Sequence, residues 1–465
     1  MKEEACLRST PIPTFLRTRR SYCSGLYRTL MFRLGASRLA KRALSGTVWS
    51  LLGAVGGKCF GLMASVYAAR VLGKQGFGQF GIVQSTLDSF GLFAGMGLGL
   101  TATKFVAELR ETDPARAGHI VALSRRVALV TGSLTAAVVL LFADKLASGA
   151  MAAPSMAMGL RIASIVLLLG AVNGAQRGAL SGFEAFRSIA QIAVIGGAVG
   201  LFIMVAAVSC AGLNGAVWAL AGNMAVACVL TGHFLKREMA EHYIDRRAHG
   251  AWNEWRILGS FSLPAVLSGL SVLPAYWACN LILVNQPNGY DEMGLLNAAT
   301  QWRNVVLFVP SVIVSVILPM LASLGAEGQH QKQRKLLAAN VAAAAAIGLS
   351  AALAIFVLSK PIMGIFGSGF ESGRTILILQ VFAAAIASTT WVLGQFLISA
   401  GEMWWLIALQ LIWACAYLGL TWAFRSKGGE GVSWAYLLAY IVHLLTMSTL
   451  TCWKLKQRGT QRAAM

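Results

Sequence analysis

Long apolar stretches separated by short polar connections, with Lys and Arg gathered in every second connection, constrain this chain more than any other feature of its sequence. A helix needs about 20 apolar residues to cross a bilayer, and twelve stretches qualify. They lie near 44–69, 80–103, 120–142, 156–176, 187–209, 213–235, 257–284, 293–321, 336–359, 374–398, 403–424 and 432–453.

The charge distribution predicts how these stretches are oriented. Of the 39 Lys and Arg residues, 29 lie before the first stretch, after the last one or in and beside alternate connections, and 8 lie in or beside the remaining connections. Lys and Arg resist translocation, so the side of the membrane with more of these residues is predicted to be cytoplasmic. Both termini then lie in the cytoplasm.

Composition excludes a soluble domain. The chain is 57% hydrophobic and 12% charged, whereas charged residues make up about 25% of a typical soluble domain. We therefore predict an all-α polytopic membrane protein. Its net charge of +21 is concentrated near the N-terminus, in the loops and in the tail. Anionic lipid headgroups are the expected partners there, and nucleic acid is not.

The two halves of the chain resemble each other. Gly81 and Gly294 open matching stretches 213 positions apart, and Trp218 and Trp434 occupy similar Gly-containing segments 216 positions apart. We predict two six-helix repeats of the same orientation around a central cavity, and a substrate would be expected to lie between them. The predicted parts are a basic extension at 1–43, lobes at 44–235 and 257–455, a cytoplasmic loop at 236–256 and a tail at 456–465.

Two cations, Lys58 and Arg303, lie deep inside the predicted spans, away from any connection. A charge at this depth costs about 2.5–3.5 kcal/mol on insertion scales, which makes each a functional candidate. With a rise of 1.5 Å per residue, Lys58, Asp88 and Arg303 are predicted to lie at nearly one depth. Two cations and one anion at one level indicate a polar cavity with a positive surplus.

Amides at helical spacing support such a cavity. Gln84 shares a face with Asp88, and Asn297 shares a face with Gln301. Arg303 points about a third of a turn away from that second face, so its assignment is weaker than that of Lys58. Asn173 and Arg177, near the predicted cytoplasmic end of the fourth span, are candidates to receive an anionic headgroup.

Simpler interpretations of these residues remain open. Lys58 and Asp88 could form a pair that only holds the first two spans together, because buried ions are usually paired. Arg303 could snorkel or bind a backbone carbonyl, and Arg177 could be an ordinary interfacial arginine.

Catalytic and metal-binding patterns are missing from the sequence. No nucleophile accompanies a base, and the eight cysteines form no C-x-x-C pair. His242 and His249 lie close in sequence without a third ligand at metal spacing. We expect no enzymatic activity, no metal and no cofactor.

Three motifs resemble a known family. These are Arg70-Val71-Leu72-Gly73 followed by Gly76-Phe77-Gly78-Gln79-Phe80, Gly97-Leu98-Gly99 leading to Lys104-Phe105-Val106-Ala107, and Ile365-Phe366-Gly367-Ser368-Gly369-Phe370. They resemble segments of oligosaccharide flippases in the polysaccharide transporter family, within the multidrug and oligosaccharidyl-lipid exporter superfamily. The resemblance covers most of residues 44–455.

The resemblance implies a function. A polyprenyl-pyrophosphate-linked oligosaccharide would move from the inner to the outer leaflet of a bacterial cytoplasmic membrane, for O-antigen, capsule or exopolysaccharide assembly. Candidate protein partners are a polysaccharide polymerase and glycosyltransferases. Two alternatives stay open: a cation-coupled multidrug exporter of the same superfamily, and a non-transporting membrane scaffold for polysaccharide synthases. An exporter of lipophilic cations would require net negative charge within its cavity. At the shared depth of Lys58, Asp88 and Arg303, the spans hold one acidic and two basic residues.

Overall fold

The computed structural model describes residues 38–244, 251–257, 262, 272–327 and 329–463. Within these ranges the chain is helical between its turns and contains no strand. The α-helices are α1 (Arg38–Gly95), α2 (Leu98–Leu109), α3 (Pro114–Lys145), α4 (Ala157–Gly182), α5 (Phe186–Glu241), α6 (Leu273–Val284), α7 (Gly289–Ala326), α8 (His330–Val357), α9 (Ser359–Gly364), α10 (Arg374–Ser399), α11 (Met403–Ala423) and α12 (Gly428–Ala463). Most of the basic extension, the middle of the predicted 236–256 loop and much of the first half of the seventh predicted span lie outside the described residues.

Eight of the described helices are long and apolar enough to cross a membrane. They are α1, α3, α4, α5, α8, α10, α11 and α12, some of them counted with a flanking turn. This agrees with the predicted class of an all-helical, multi-pass membrane protein. The total of twelve crossings and the side on which the termini lie stay predictions.

The long helix α1 is a hairpin. Its helical geometry is interrupted at Gly73, where φ is 66° and ψ is −177°. Lys58 and Gln84 lie on opposite sides of this break and nevertheless line the same small cavity. A continuous helix would hold them about 39 Å apart at 1.5 Å per residue, so the two arms of α1 run antiparallel.

The long helix α5 has the same construction. Its break falls at Ala211 and Gly212. Gly200 in the first arm packs against Asn223 in the second, at nearly equal distances from the break. Each of these two helices therefore contributes two antiparallel arms, which matches the positions of predicted spans 1 and 2 and of predicted spans 5 and 6.

The two halves of the chain meet at the end of the bundle that holds Gly73, which we call the Gly73 end. The Phe77 ring lies 6.3 Å from the Phe366 ring and 6.1 Å from the Phe370 ring. Arg70 Nε donates a hydrogen bond to the Ile365 carbonyl oxygen at 2.7 Å. These contacts join residues about 290 positions apart in sequence, so this end of the bundle is packed shut.

Hydrogen bonds extend this closure around the Gly73 end. The Tyr290 hydroxyl donates to the Met151 carbonyl oxygen at 2.6 Å, and Asn285 Nδ2 donates to the Ala150 carbonyl oxygen at 2.7 Å. Both bonds run from the second half of the chain to the first.

At the Gly73 end, the beginning of the second arm of α1 contacts the beginning of α7 at glycine residues. A Cβ at position 78 would overlap the Tyr290 carbonyl oxygen, and a Cβ at position 294 would overlap the Lys74 carbonyl oxygen. Only glycine allows backbones to approach so closely. The contact is reciprocal, since Lys74 and Tyr290 are 216 positions apart and so are Gly78 and Gly294. This spacing falls within the range of offsets of the predicted repeat.

The described part of the connection between the halves is tied to the start of α3. Arg116 donates two hydrogen bonds to Glu254, from Nε at 2.6 Å and from a terminal nitrogen at 3.0 Å. The pair fixes the connecting segment against the first half of the chain.

A polar cavity between the two halves

A cavity of about 1120 Å³, which we call the central cavity, lies between the two halves of the chain. The first half contributes the second arm of α1, α4 and the second arm of α5 to its wall, and the second half contributes α6, α7, α10, α11 and α12. Both halves thus line one shared space beyond the Gly73 end.

Arg303, on α7, lines the central cavity among aromatic and amide side chains. Its guanidinium carbon lies 5.3 Å from the Tyr276 ring centroid and 5.0 Å from the Tyr436 ring centroid. A terminal nitrogen donates to Gln380 Oε1 at 3.1 Å. No carboxylate among the described residues pairs with it. The positive charge is held by ring faces and one amide oxygen, and it is not neutralised.

The neighbouring aromatic side chains form a continuous cluster. The Tyr276 hydroxyl donates to the Tyr436 hydroxyl at 2.8 Å, and the Tyr276 ring also packs against Tyr417 and Trp413. Because the negative faces of aromatic rings attract cations, this cluster favours a charged guanidinium at this position.

Four more of the predicted site residues line the central cavity: Gln84, Asp88, Asn297 and Gln301. The Asp88 carboxylate forms no hydrogen bond or ion pair with another described residue. Asn297 donates from Nδ2 to the Phe77 carbonyl oxygen at 3.4 Å, which connects the cavity to the packed Gly73 end.

Lys58 lies in a smaller cavity of about 390 Å³, which we call the side cavity. Its Nζ is 5.3 Å from the Phe308 ring centroid on α7, and its side chain is exposed. No ion pair joins Lys58 to Asp88 among the described contacts. Gln84 and Gln301 line both cavities, so the two spaces are adjacent.

Asn173 and Arg177 occupy other positions. Asn173 is buried and donates from Nδ2 to the Met224 sulfur at 3.8 Å, and Arg177 is exposed. Neither residue lines the central or the side cavity. The structure therefore brings together six of the eight predicted site residues and leaves these two apart.

Sequence reasoning missed the residues around Arg303. Tyr276, Gln380 and Tyr436 come from three separate helices that only the fold brings together. One signal was present in the sequence: Tyr436 and Tyr440 recur four positions apart in the last predicted span, which places two hydroxyls on one face of a helix.

The same architecture occurs in solved transporters. The inward-facing conformation of a multidrug resistance MATE family transporter of the MOP superfamily matches with a TM-score of 0.77 and 15% identity, over 87% of this chain and 96% of that one. An outward-facing conformation of a multidrug resistance MATE family transporter matches with a TM-score of 0.66 and 15% identity, over 90% of this chain and 96% of that one. The fold is therefore that of MOP superfamily transporters.

A family model described as polysaccharide biosynthesis protein matches residues 43–324, and the chain belongs to this family. Among curated relatives, the EPS I polysaccharide export inner membrane protein EpsE of Ralstonia solanacearum is 25% identical over 428 residues, covering 87% of this chain and 93% of its own length. The lipid III flippase of Escherichia coli (strain K12) is 22% identical over 394 residues, covering 82% of this chain and 92% of its own.

Proposed function

We propose that this protein is a flippase that moves a polyprenyl-pyrophosphate-linked oligosaccharide from the inner to the outer leaflet of the bacterial cytoplasmic membrane. Twelve spans form two six-helix halves with both termini in the cytoplasm, and the halves rock about the central cavity in alternating access. The names of the relatives support this, since one is an inner membrane polysaccharide export protein and another is a lipid III flippase.

The observation that carries the proposal is the uncompensated charge of Arg303. A cation in a cavity within the membrane is costly when it lacks an anionic partner. Its partners here are two tyrosine rings and an amide, which hold the side chain in place without cancelling its charge. A pyrophosphate supplies the missing anion, and the planar guanidinium forms two parallel hydrogen bonds with phosphate oxygens.

Lys58 plays a different part in the proposal. Its ammonium is a point charge on a flexible stem, exposed in the side cavity next to the central one. It draws the anionic headgroup toward the central cavity, where Arg303 then holds it. Gln84 and Gln301, which line both spaces, offer hydrogen bonds along the way.

The packed Gly73 end is assigned to the outer face in this scheme. The charge distribution of the sequence puts Arg70 and the Gly73 turn on the poorly charged side of the membrane. With that end shut, the cavity belongs to a state that receives substrate from the cytoplasmic side. A polysaccharide polymerase and glycosyltransferases are the expected neighbours, since they consume and supply such a substrate.

The test is complementation of a deletion strain with a variant that carries Lys58→Gln and Arg303→Gln. We expect lipid-linked sugar to accumulate on the inner leaflet, as in the deletion itself, while the variant inserts into the membrane at the wild-type level. The matched control is Arg161→Gln, which removes an arginine that pairs with Asp144 and lines neither cavity. Normal translocation by the double variant would contradict the proposal.

A further inference from the structure

Beyond Arg303, one wall of the central cavity is formed by α10, α11 and α12, and its side chains differ from those around the guanidinium. Gly394 on α10 packs against Leu406 on α11 and Met447 on α12, so these three helices meet at one level. Close to that level, they present aromatic and amide side chains to the cavity. These are Trp391 and Gln395 of α10, Gln410 and Trp413 of α11, and His443 of α12. Trp413 borders the aromatic cluster of Arg303, since its ring also packs against Tyr276.

Three of these side chains have hydrogen-bonding atoms that no described residue uses. They are Gln410 Oε1, Trp413 Nε1 and His443 Nδ1, all of them buried. Buried polar atoms are nearly always paired in folded proteins, because an unpaired one costs the free energy of its lost hydration. These three atoms have almost no accessible surface, so they meet a ligand only when their side chains turn toward the cavity that their residues line.

The facing wall is different. There, α4 contributes Val166, Leu167, Gly170 and Ala171, and α5 contributes Met224. A ligand between these walls would meet polar and aromatic groups on one side and small apolar groups on the other.

We infer that the α10–α11–α12 wall is a binding subsite for uncharged sugar rings of the transported lipid. The polarised C–H groups on the apolar face of a pyranose pack against an aromatic ring, whose face is electronegative. Trp391 supplies an accessible ring, with 37% of its surface exposed. Gln395 and Gln410 can each donate and accept at once, which suits neighbouring hydroxyls. The five side chains include no carboxylate, Lys or Arg.

The distance from Arg303 fits a chain of sugars that follows a pyrophosphate. On α10, Trp391 lies 11 residues beyond Gln380, the partner of Arg303. On α12, His443 lies 7 residues beyond Tyr436, the other partner. With 1.5 Å per residue, His443 and Trp391 lie about 10–16 Å along their helices from the residues that contact the guanidinium. This inference rests on the proposed function, because it assigns the pyrophosphate to Arg303.

Binding to the purified protein in detergent tests the inference, with two lipid probes. One is undecaprenyl pyrophosphate without sugar, and the other is the same lipid carrying a disaccharide of neutral hexoses. We expect the wild type to bind the sugar-bearing probe about tenfold more tightly, as two or three additional hydrogen bonds allow. Equal affinity for the two probes would overturn the inference.

Variants locate the effect. We expect a protein with Gln395→Leu and Gln410→Leu to lose the preference for the sugar-bearing probe while its affinity for the sugar-free probe stays within about twofold of wild type. Trp391→Leu should also reduce the preference for the sugar-bearing probe. Because the Trp391 side chain is partly exposed, this substitution should not prevent folding. Gln191→Leu, which lies outside both cavities, is the matched control. A preserved preference in both subsite variants would overturn the inference.

Failure of the proposed function gives a different result. Arg303→Gln should weaken binding of both probes together. If it leaves both unchanged, the assignment of the pyrophosphate to Arg303 is wrong, whatever the subsite variants show.

Discussion

Arg303 carries an energetic cost that its proposed role in binding a pyrophosphate would explain. Ring faces and one amide oxygen stabilise its charge only in part, so the protein without substrate holds an incompletely compensated cation. Residues selected for binding are often suboptimal for stability.

Replacement of Arg303 by Met should therefore raise stability while abolishing transport. Met fills a similar volume without charge, and the expected gain is about 1 kcal/mol after subtraction of the lost cation–π contacts. The measurement is the unfolding midpoint of the purified protein in detergent, beside an assay of translocation. A clearly lower midpoint would show that the guanidinium is a structural element of the aromatic cluster.

Asp88 faces the same cavity without a partner among the described residues and should repel an anionic headgroup. Asp88→Asn keeps the shape and removes the charge. We expect undecaprenyl pyrophosphate to bind several-fold more tightly to this variant, because a like charge near the site is gone. Binding measured by tryptophan fluorescence checks this, with Asp144→Asn, outside both cavities, as the control. Weaker binding would indicate that the Asp88 carboxylate organises the site.

At the scale of the helices, the close contact of the starts of the second α1 arm and of α7 depends on glycine. Gly78→Ala would place a methyl group against the Tyr290 carbonyl oxygen. Overpacking of this kind costs about 1–3 kcal/mol, so the unfolding midpoint should fall. Gly419→Ala, where a Cβ meets open space, is the control and should be neutral or slightly stabilising. An unchanged midpoint for Gly78→Ala would mean that the two backbones separate at little cost.

The helices also show how far the sequence predicts the fold. Apolar length predicted the all-helical, multi-pass class, because the bilayer imposes this pattern on any chain that crosses it. The orientation derived from the charge distribution stays a prediction. The Gly73 and Gly212 breaks fall between predicted spans, where the chain must reverse. The environment of Arg303 could not be predicted in this way, since Tyr276, Gln380 and Tyr436 come from different helices and meet only through tertiary packing. A helical wheel for α7 alone set Arg303 apart from Asn297 and Gln301, yet its long side chain lines the same cavity.

At the scale of the whole molecule, transport by alternating access requires the Gly73 end to open. Asn285 and Ala150 join the two halves there. Cysteines introduced at both positions and bridged by an oxidant should stop translocation, and a reductant should restore it. The two single-cysteine variants control for the eight native cysteines. Undiminished translocation by the bridged protein would rule out opening at this end.

The reciprocal contact at Gly78 and Gly294 has an evolutionary consequence. Position 74 touches position 294 and position 78 touches position 290, which is the self-complementary pattern of a twofold-symmetric dimer. A gene encoding half of this polypeptide would have produced subunits that dimerised through this glycine contact. Fusion of two such genes would retain this contact and leave each copy free to diverge. One copy now lines the cavity with aromatic and amide side chains, and the other combines Gln84 and Asp88 of α1 with apolar side chains of α4 and α5.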